Sequence, residues 1–357
     1  MRFIFLSIIT IFSLITNAQQ YSLNHFYIYD ATLAQKTDSV FNSLSDTAIV
    51  GQMFIQAAGV HGKPDKTIIS LIKRNYLGGI IMLNGTKESF IQSIKKYNAV
   101  NKGVPLVFSA DAEPSLINRK IKNTVPVKNA NKLLNRDEVR YYAKLICKEL
   151  KEMGIMYNYA PVVDMSPNKI INFRSFGINA DTAQVWANIF IEETQNSGIV
   201  ATAKHFPGHG FVVGDTHEKL VYIDGEMKEV KNYRPLINKG VLSIMIAHIA
   251  IKNNVEYDTE NLPSSCSKKI VTNLLKQKLN FKGLVITDAL NMGGVSSIPN
   301  CELKAAKAGC DILLMPKNVR SAIEDILEEI KVNKQFEQQV YASVKKIIRL
   351  KFCLGLL

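Results

Sequence analysis

Short apolar runs recur along the chain with helical patterns between them. The runs are Met53 to Ala57, Gly79 to Leu83, Leu106 to Ala110, Ile155 to Ala160, Val200 to Ala203, Ile244 to Ala247, Leu284 to Thr287 and Ile312 to Met315. Each is apolar at consecutive rather than alternate positions, the pattern of a strand buried on both faces of a parallel sheet. Between them, crossover helices are predicted over 66–75, 87–101, 136–153, 182–197, 227–239, 267–278, 302–308 and 319–329, with a lead-in helix over 31–45 and a last helix over 334–352. Eight strand-then-helix repeats predict an α/β fold, a closed (β/α)8 TIM-type barrel in a single domain. An open doubly wound sheet is the weaker reading. Its first strand would lead into a glycine-rich phosphate loop, and Ala57-Ala-Gly-Val-His-Gly62 lacks the Gly-x-Gly-x-x-Gly spacing.

A barrel gathers its functional groups at the carboxyl ends of its strands. Polar residues stand there in this chain: Asp111 and Glu113 after the third run, Asp164 after the fourth, Lys204 and His205 after the fifth, His248 after the sixth, Asp288 after the seventh and Lys317 after the eighth. Core strands have no packing reason to end repeatedly in a charge or an imidazole, so these residues are expected to converge on one site.

Composition narrows the class. The chain has 357 residues, 47% of them hydrophobic and 21% charged, with 11 prolines and no biased tract, which excludes collagen, coiled coil and wholesale disorder. A formal charge of +13 favours anionic surroundings. The lysines are spread through helices rather than gathered in a patch interleaved with aromatics, so nucleic acid is not an expected partner. The five cysteines, Cys147, Cys266, Cys301, Cys310 and Cys353, are widely spaced and read as small buried hydrophobes.

Arg2, the apolar run Phe3 to Ile15 and the small residues before Gln19 read as a signal peptide over 1–18. The expected organisation is therefore that signal, a helical lead-in over 19–45 and a catalytic barrel with its C-terminal helix over 46–357. No cysteine follows the apolar run as a lipid-anchored precursor would need, and the rest holds no stretch long enough for a transmembrane helix, so a soluble exported protein, periplasmic and monomeric, is expected.

The densest chemistry lies in Ala203-Lys-His-Phe-Pro-Gly-His-Gly-Phe-Val-Val-Gly-Asp-Thr-His217, which holds three of the six histidines. A metal reading would use His205, His209 and His217 with Asp215. Pro207, Gly208 and Gly210 prevent a helix from presenting two ligands on one face, so no metal and no cofactor is expected. In an acid/base reading, Asp215 orients and charge-stabilises His217 from two positions away, and a histidine near its ordinary pKa of about 6.5 can protonate a leaving oxygen and later deprotonate water. Asp288 ends an apolar strand and should point over the barrel mouth, where it could ligate a metal, accept a ligand hydroxyl or attack a carbon centre. The last role needs a leaving-group acid opposite it, which Asp215 and His217 could supply.

These segments resemble glycoside hydrolase family 3, and within it the bacterial β-N-acetylglucosaminidases that act on peptidoglycan fragments. The carriers are Lys-His-Phe-Pro-Gly-His-Gly at Lys204 to Gly210, Asp215-Thr216-His217, Arg174 in an Arg-Ser-Phe-Gly loop, and Met-Ile-Ala-His at Met245 to His248. The resemblance implies a retaining exo-β-N-acetylglucosaminidase with Asp288 as nucleophile, His217 as general acid/base and Asp215 as its partner. It places Asp111, Arg174, Lys204, His205 and His248 around the sugar, and a β-GlcNAc glycan or muropeptide as substrate. A β-glucosidase of the same family, a glycoside phosphorylase and an impaired glycan-binding barrel are the alternatives.

Two departures stand out. Where the family continues its third strand as Asp-x-Glu-Gly-Gly-Arg, this chain reads Asp111-Ala-Glu-Pro-Ser-Leu116, which leaves Arg119 as a candidate to reach back. Phe211-Val-Val-Gly214 makes the acid/base loop more apolar than in relatives.

Overall fold

In the computed structural model, residues 21–357 are described except for 166, 169, 170 and 178; the signal-peptide reading over 1–18 lies outside them. Eight parallel strands form the central sheet: Phe54–Ala58, Gly79–Met82, Val107–Ala110, Tyr157–Asn158, Val200–Phe206, Ser243–Ile246, Leu284–Thr287 and Leu313–Leu314. Each coincides with a predicted apolar run. They pair in chain order, and the eighth strand returns to the first, with Phe54 opposite Leu313. A parallel bridge from Ile286 to Ile312, with the Thr287 N–H donating to the Ile312 carbonyl at 3.1 Å, joins the seventh strand to the eighth and closes the barrel.

Inside the barrel, Tyr157 donates to Ser243 Oγ at 2.6 Å and Tyr159 to Ser109 Oγ at 2.9 Å, so both phenols are buried with a hydrogen bond made. The lower, amino-terminal end of the strands packs against the lead-in and the last helix. Tyr27 of the lead-in donates to the Val241 carbonyl at 2.5 Å, and Arg349 of the last helix, Lys334–Cys353, holds the carbonyls of His25 and Phe26 at 2.8 Å. Lys351, fully buried, donates to Gln52 Oε1 at 2.6 Å and to the Gly78 carbonyl at 2.9 Å. The opposite end of the barrel carries the long connections.

The predicted helices form with three differences. The lead-in helix, capped by Asp30, runs over Ala31–Asn42 and stops short of 45, and an unanticipated helix, Asp46–Gly51, starts after it because Ser45 accepts the Ala48 N–H. The segment over 227–239 is helical only as a 3₁₀ turn, Val230–Asn232, and the short helix Tyr233–Asn238. Lys269–Lys278 winds as a π-helix. Two parallel ribbons were not anticipated, Gly85–Thr86 with Ile121–Lys122 and Val221–Asp224 with Ile249–Lys252. All five cysteines are buried, and none forms a disulfide among the described residues. No helix among the described residues is long and apolar enough to cross a membrane.

Candidate active site

A cavity of about 620 Å³ opens at the carboxyl end of the strands. Six of the sequence-predicted residues line it: Asp111, Arg174, Lys204, His205, His217 and Asp288. Asp215 stands beside His217. His248 is not among the residues that line the cavity. Its side chain is fully buried, with Nδ1 bonded to Ser265 Oγ at 2.8 Å and Nε2 to the Ala289 carbonyl at 3.0 Å. Lys317 is also absent from the lining; its ammonium is bound to the Ser296 carbonyl, and Met315 lines the cavity at the end of the eighth strand.

One wall is a chain of alternating charges. Lys120 pairs with Asp111 Oδ2 at 2.5 Å, and Lys204 pairs with Asp111 Oδ1 at 2.8 Å and with Glu113 Oε1 at 2.6 Å. Arg174 grips Glu113 with Nε at 2.9 Å and Nη2 at 2.7 Å, a two-pronged contact that fixes the guanidinium plane. Burial alone would raise the Glu113 carboxyl, but Arg174 and Lys204 outweigh it and bring it down to about 2. Asp111 is held well below the usual carboxylate range by Lys120 and Lys204 against the same desolvation. The Lys204 ammonium, desolvated but flanked by both carboxylates, is held above its ordinary value. This wall therefore stays ionised and presents fixed donors and acceptors to hydroxyl groups.

Lys120 was not legible as a site residue. It ends a four-residue helix, Ile117–Lys120, directly after the Pro114-Ser-Leu116 turn. Arg119 does not reach back; its guanidinium lies over the Phe173 ring, 4.4 Å from the centroid. Leu116 and Phe173 line the cavity beside Lys120 and make this wall partly apolar.

Asp164, legible only as a polar residue after a strand, organises the next wall. Its carboxylate accepts the backbone N–H groups of His205 at 3.1 Å and His209 at 2.8 Å, and Oδ2 meets His205 Nδ1 at 2.6 Å. The His205 ring is thereby oriented with its other nitrogen available to the cavity it lines. Asp288 follows the seventh strand, its N–H donating to the Ile246 carbonyl at 2.9 Å and its Oδ1 accepting the Ala289 N–H at 2.8 Å. Burial opposes its ionisation, but His205, His248, the Ala289 N–H and His217 together hold its carboxyl below the ordinary value. A carboxylate kept ionised at the floor of a cavity is suited to attack an electrophilic carbon.

The loop after the fifth strand carries the imidazole. His217 Nδ1 meets Asp215 Oδ1 at 2.7 Å, and the same oxygen accepts the His217 backbone N–H at 2.8 Å. Partial burial raises the Asp215 carboxyl, but these two contacts and the His217 charge bring it below its ordinary value. With Nδ1 engaged, Nε2 is the nitrogen left to exchange a proton with a ligand.

Glu229, which sequence reasoning missed, fixes the root of that loop. Its buried carboxylate accepts the N–H of Met165 at 2.5 Å and of Gly210 at 2.9 Å, tying the loop after the fourth strand to the loop after the fifth. Burial and the nearby Asp164 push it up to about 8, against the pull of these N–H donors. The approach is so close that a Cβ on Gly210 would lie 1.6 Å from the Met165 carbonyl oxygen, which explains the glycine. Asn168 adds a second tie, donating to the Val212 carbonyl at 2.9 Å.

A β-N-acetylglucosaminidase/β-glucosidase of Cellulomonas fimi is 28% identical over 302 residues, 79% of this chain and 53% of that protein. The chain thus spans about half the length of that relative. A β-hexosaminidase of Haemophilus influenzae is 29% identical over 283 residues, 74% of this chain and 79% of its own. Among solved structures, a glycoside hydrolase family 3 β-N-acetylglucosaminidase from a Paenibacillus species superposes with a TM-score of 0.79 at 26% identity, over 88% of this chain and 63% of that one. The family model for the glycosyl hydrolase family 3 N-terminal domain matches residues 47–350, from just before the first strand to within the last helix, and the chain belongs to that family.

Proposed function

We propose that the chain is a retaining exo-β-N-acetylglucosaminidase that removes terminal β-GlcNAc from peptidoglycan-derived fragments, working outside the cytoplasm after export. The observation that carries the reading is that Asp288 and His217 line one cavity, the first a half-buried carboxylate held ionised and the second an imidazole backed by Asp215. The names of the Haemophilus and Paenibacillus relatives support the sugar.

In this mechanism, Asp288 attacks the anomeric carbon while His217 Nε2–H gives its proton to the glycosidic oxygen. The bond between them breaks, the remainder of the glycan leaves as an alcohol, and the sugar stays as an ester on Asp288. Water then attacks the same carbon and surrenders its proton to His217, which releases the sugar and restores both groups. Asp111, Lys204, Arg174 and His205 hold the sugar hydroxyls, and the ionised wall they belong to needs no rearrangement during the reaction.

The test compares turnover of chromogenic β-GlcNAc, β-glucose and α-GlcNAc glycosides, with and without inorganic phosphate. The reading expects β-GlcNAc to be cleaved fastest and phosphate to leave the rate unchanged. Preference for β-glucose, or dependence on phosphate, would move the chain to one of the alternatives. Export is tested by mass spectrometry of the protein from its own host: the reading expects a mature chain starting near Gln19.

A further inference from the structure

The loop that carries His217 is fastened at its far end to the segment that carries Asp288. The Gly293 N–H donates to the His217 carbonyl at 3.0 Å and the Gly294 N–H to the Thr216 carbonyl at 2.9 Å. Thr216 is pinned from a second side, its Oγ1 lying 3.1 Å from His209 Nε2. Gly293 and Gly294 open the short helix Gly293–Ser296, six residues beyond the end of the seventh strand, and the Leu290 N–H anchors that segment to the barrel by donating to the Leu314 carbonyl at 2.9 Å. Nucleophile and acid/base residue thus sit on two segments joined by two backbone hydrogen bonds.

The contact leaves no room for a side chain. A Cβ at Gly293 would lie 2.1 Å from the Glu218 carbonyl oxygen and 2.7 Å from that of His217, far inside any carbon–oxygen contact. A Cβ at Gly294 would meet the Thr216 oxygen at 3.0 Å, a tighter than usual fit that small shifts relieve. Gly293 has no left-handed backbone requirement, and alanine is a better helix former than glycine. Its lack of a side chain therefore serves the approach of the loop and not the local conformation.

We infer that Gly293 is the positioning residue that seats the acid/base loop, docking His217 against the Asp288 segment before any substrate binds. The inference rests on His217 acting as the acid/base group. Its consequence is that proton delivery depends on a residue that touches neither substrate nor imidazole ring. Docking also removes part of the conformational cost of bringing the histidine to the glycosidic oxygen.

The experiment pairs hydrogen exchange with kinetics on Gly293→Ala. In the wild type, the Gly293 and Gly294 amides are expected to exchange slowly, and in the variant fast, with the melting temperature little changed because the clash falls on the loop rather than the barrel. For the variant, kcat/KM on a β-1,4-linked GlcNAc disaccharide should fall at least about tenfold, a fraction of what a general acid typically contributes. On an activated aryl β-GlcNAc, whose leaving group needs no proton, it should change less than about threefold. Wild-type amides at Gly293 and Gly294 that exchange as freely as an unstructured peptide would overturn the inference, whether or not the variant folds. So would equal losses on both substrates in a folded variant. His217→Ala measured in parallel separates the two levels: if it leaves the ratio of the two substrates unchanged, the acid/base reading fails, while exchange still reports the docking.

Discussion

Glu113 shows what holds the charged wall of the cavity together. Its side chain is 1% exposed and bonded to Lys204, itself 2% exposed, and to Arg174. Removing one member of such a buried set leaves an uncompensated charge, which typically costs about 3–5 kcal/mol. Glu113→Ala should lose stability of that order in urea denaturation, with Glu113→Gln losing less. The pH dependence follows from the same contacts. The carboxyl sits at about 2 in the folded protein against an ordinary 4.5, so its contribution is complete above 4.5 and is lost as pH falls through about 2. Wild type should therefore lose stability relative to Glu113→Gln across that window, as read by thermal melting at a series of pH values. At this scale the sequence was informative where a polar residue ends a strand, as Asp288, Lys204 and His205 do, because strand direction dictates that they face the mouth. It was uninformative for Lys120, which meets Asp111 nine positions back only because the intervening loop folds over, and for Glu229, whose partners lie in two other loops. After His248 the chain continues as a further strand, Ile249–Lys252, and the buried ring is held by Ser265 and the Ala289 carbonyl.

Among the elements, all eight strands were legible because burial on both faces forces consecutive apolar residues, a pattern that survives without knowledge of neighbours. The segment over 227–239 was misjudged for an equally physical reason. Its helical periodicity is real, but Glu229 turns inward to satisfy N–H groups of two other loops, and regular α-helix begins only at Tyr233. Loop geometry of this kind depends on long-range hydrogen bonds that no local pattern encodes. Glu229→Ala would orphan the buried N–H groups of Met165 and Gly210, each worth about 1–3 kcal/mol when left unpaired. The expected outcome is a matching loss in urea denaturation, together with faster hydrogen exchange confined to 164–168 and 207–214. Unchanged exchange there would contradict the role given to this carboxylate.

The whole molecule divides its work between the two ends of the barrel. The lower end packs against the lead-in and the last helix, and its most demanding group is Lys351, buried without a carboxylate among its bonded partners, Gln52 and Gly78. Burial lowers its ammonium from 10.5 to about 7. Between those values the unfolded chain binds the proton and the folded protein does not, so stability should rise with pH from about 7 to 10.5 and flatten below. The stability difference between wild type and Lys351→Met, followed by melting over that range, should show this slope. The upper end carries the chemistry, and there the account's central claim is that one chain supplies both nucleophile and acid/base group to one cavity. The most direct test is to incubate the His217→Ala variant with an activated aryl β-GlcNAc and map the trapped sugar by peptide mass spectrometry. The account predicts one GlcNAc on the peptide containing Asp288, formed quickly and hydrolysed slowly. A sugar attached elsewhere, or rapid turnover with no adduct at Asp288, would contradict it.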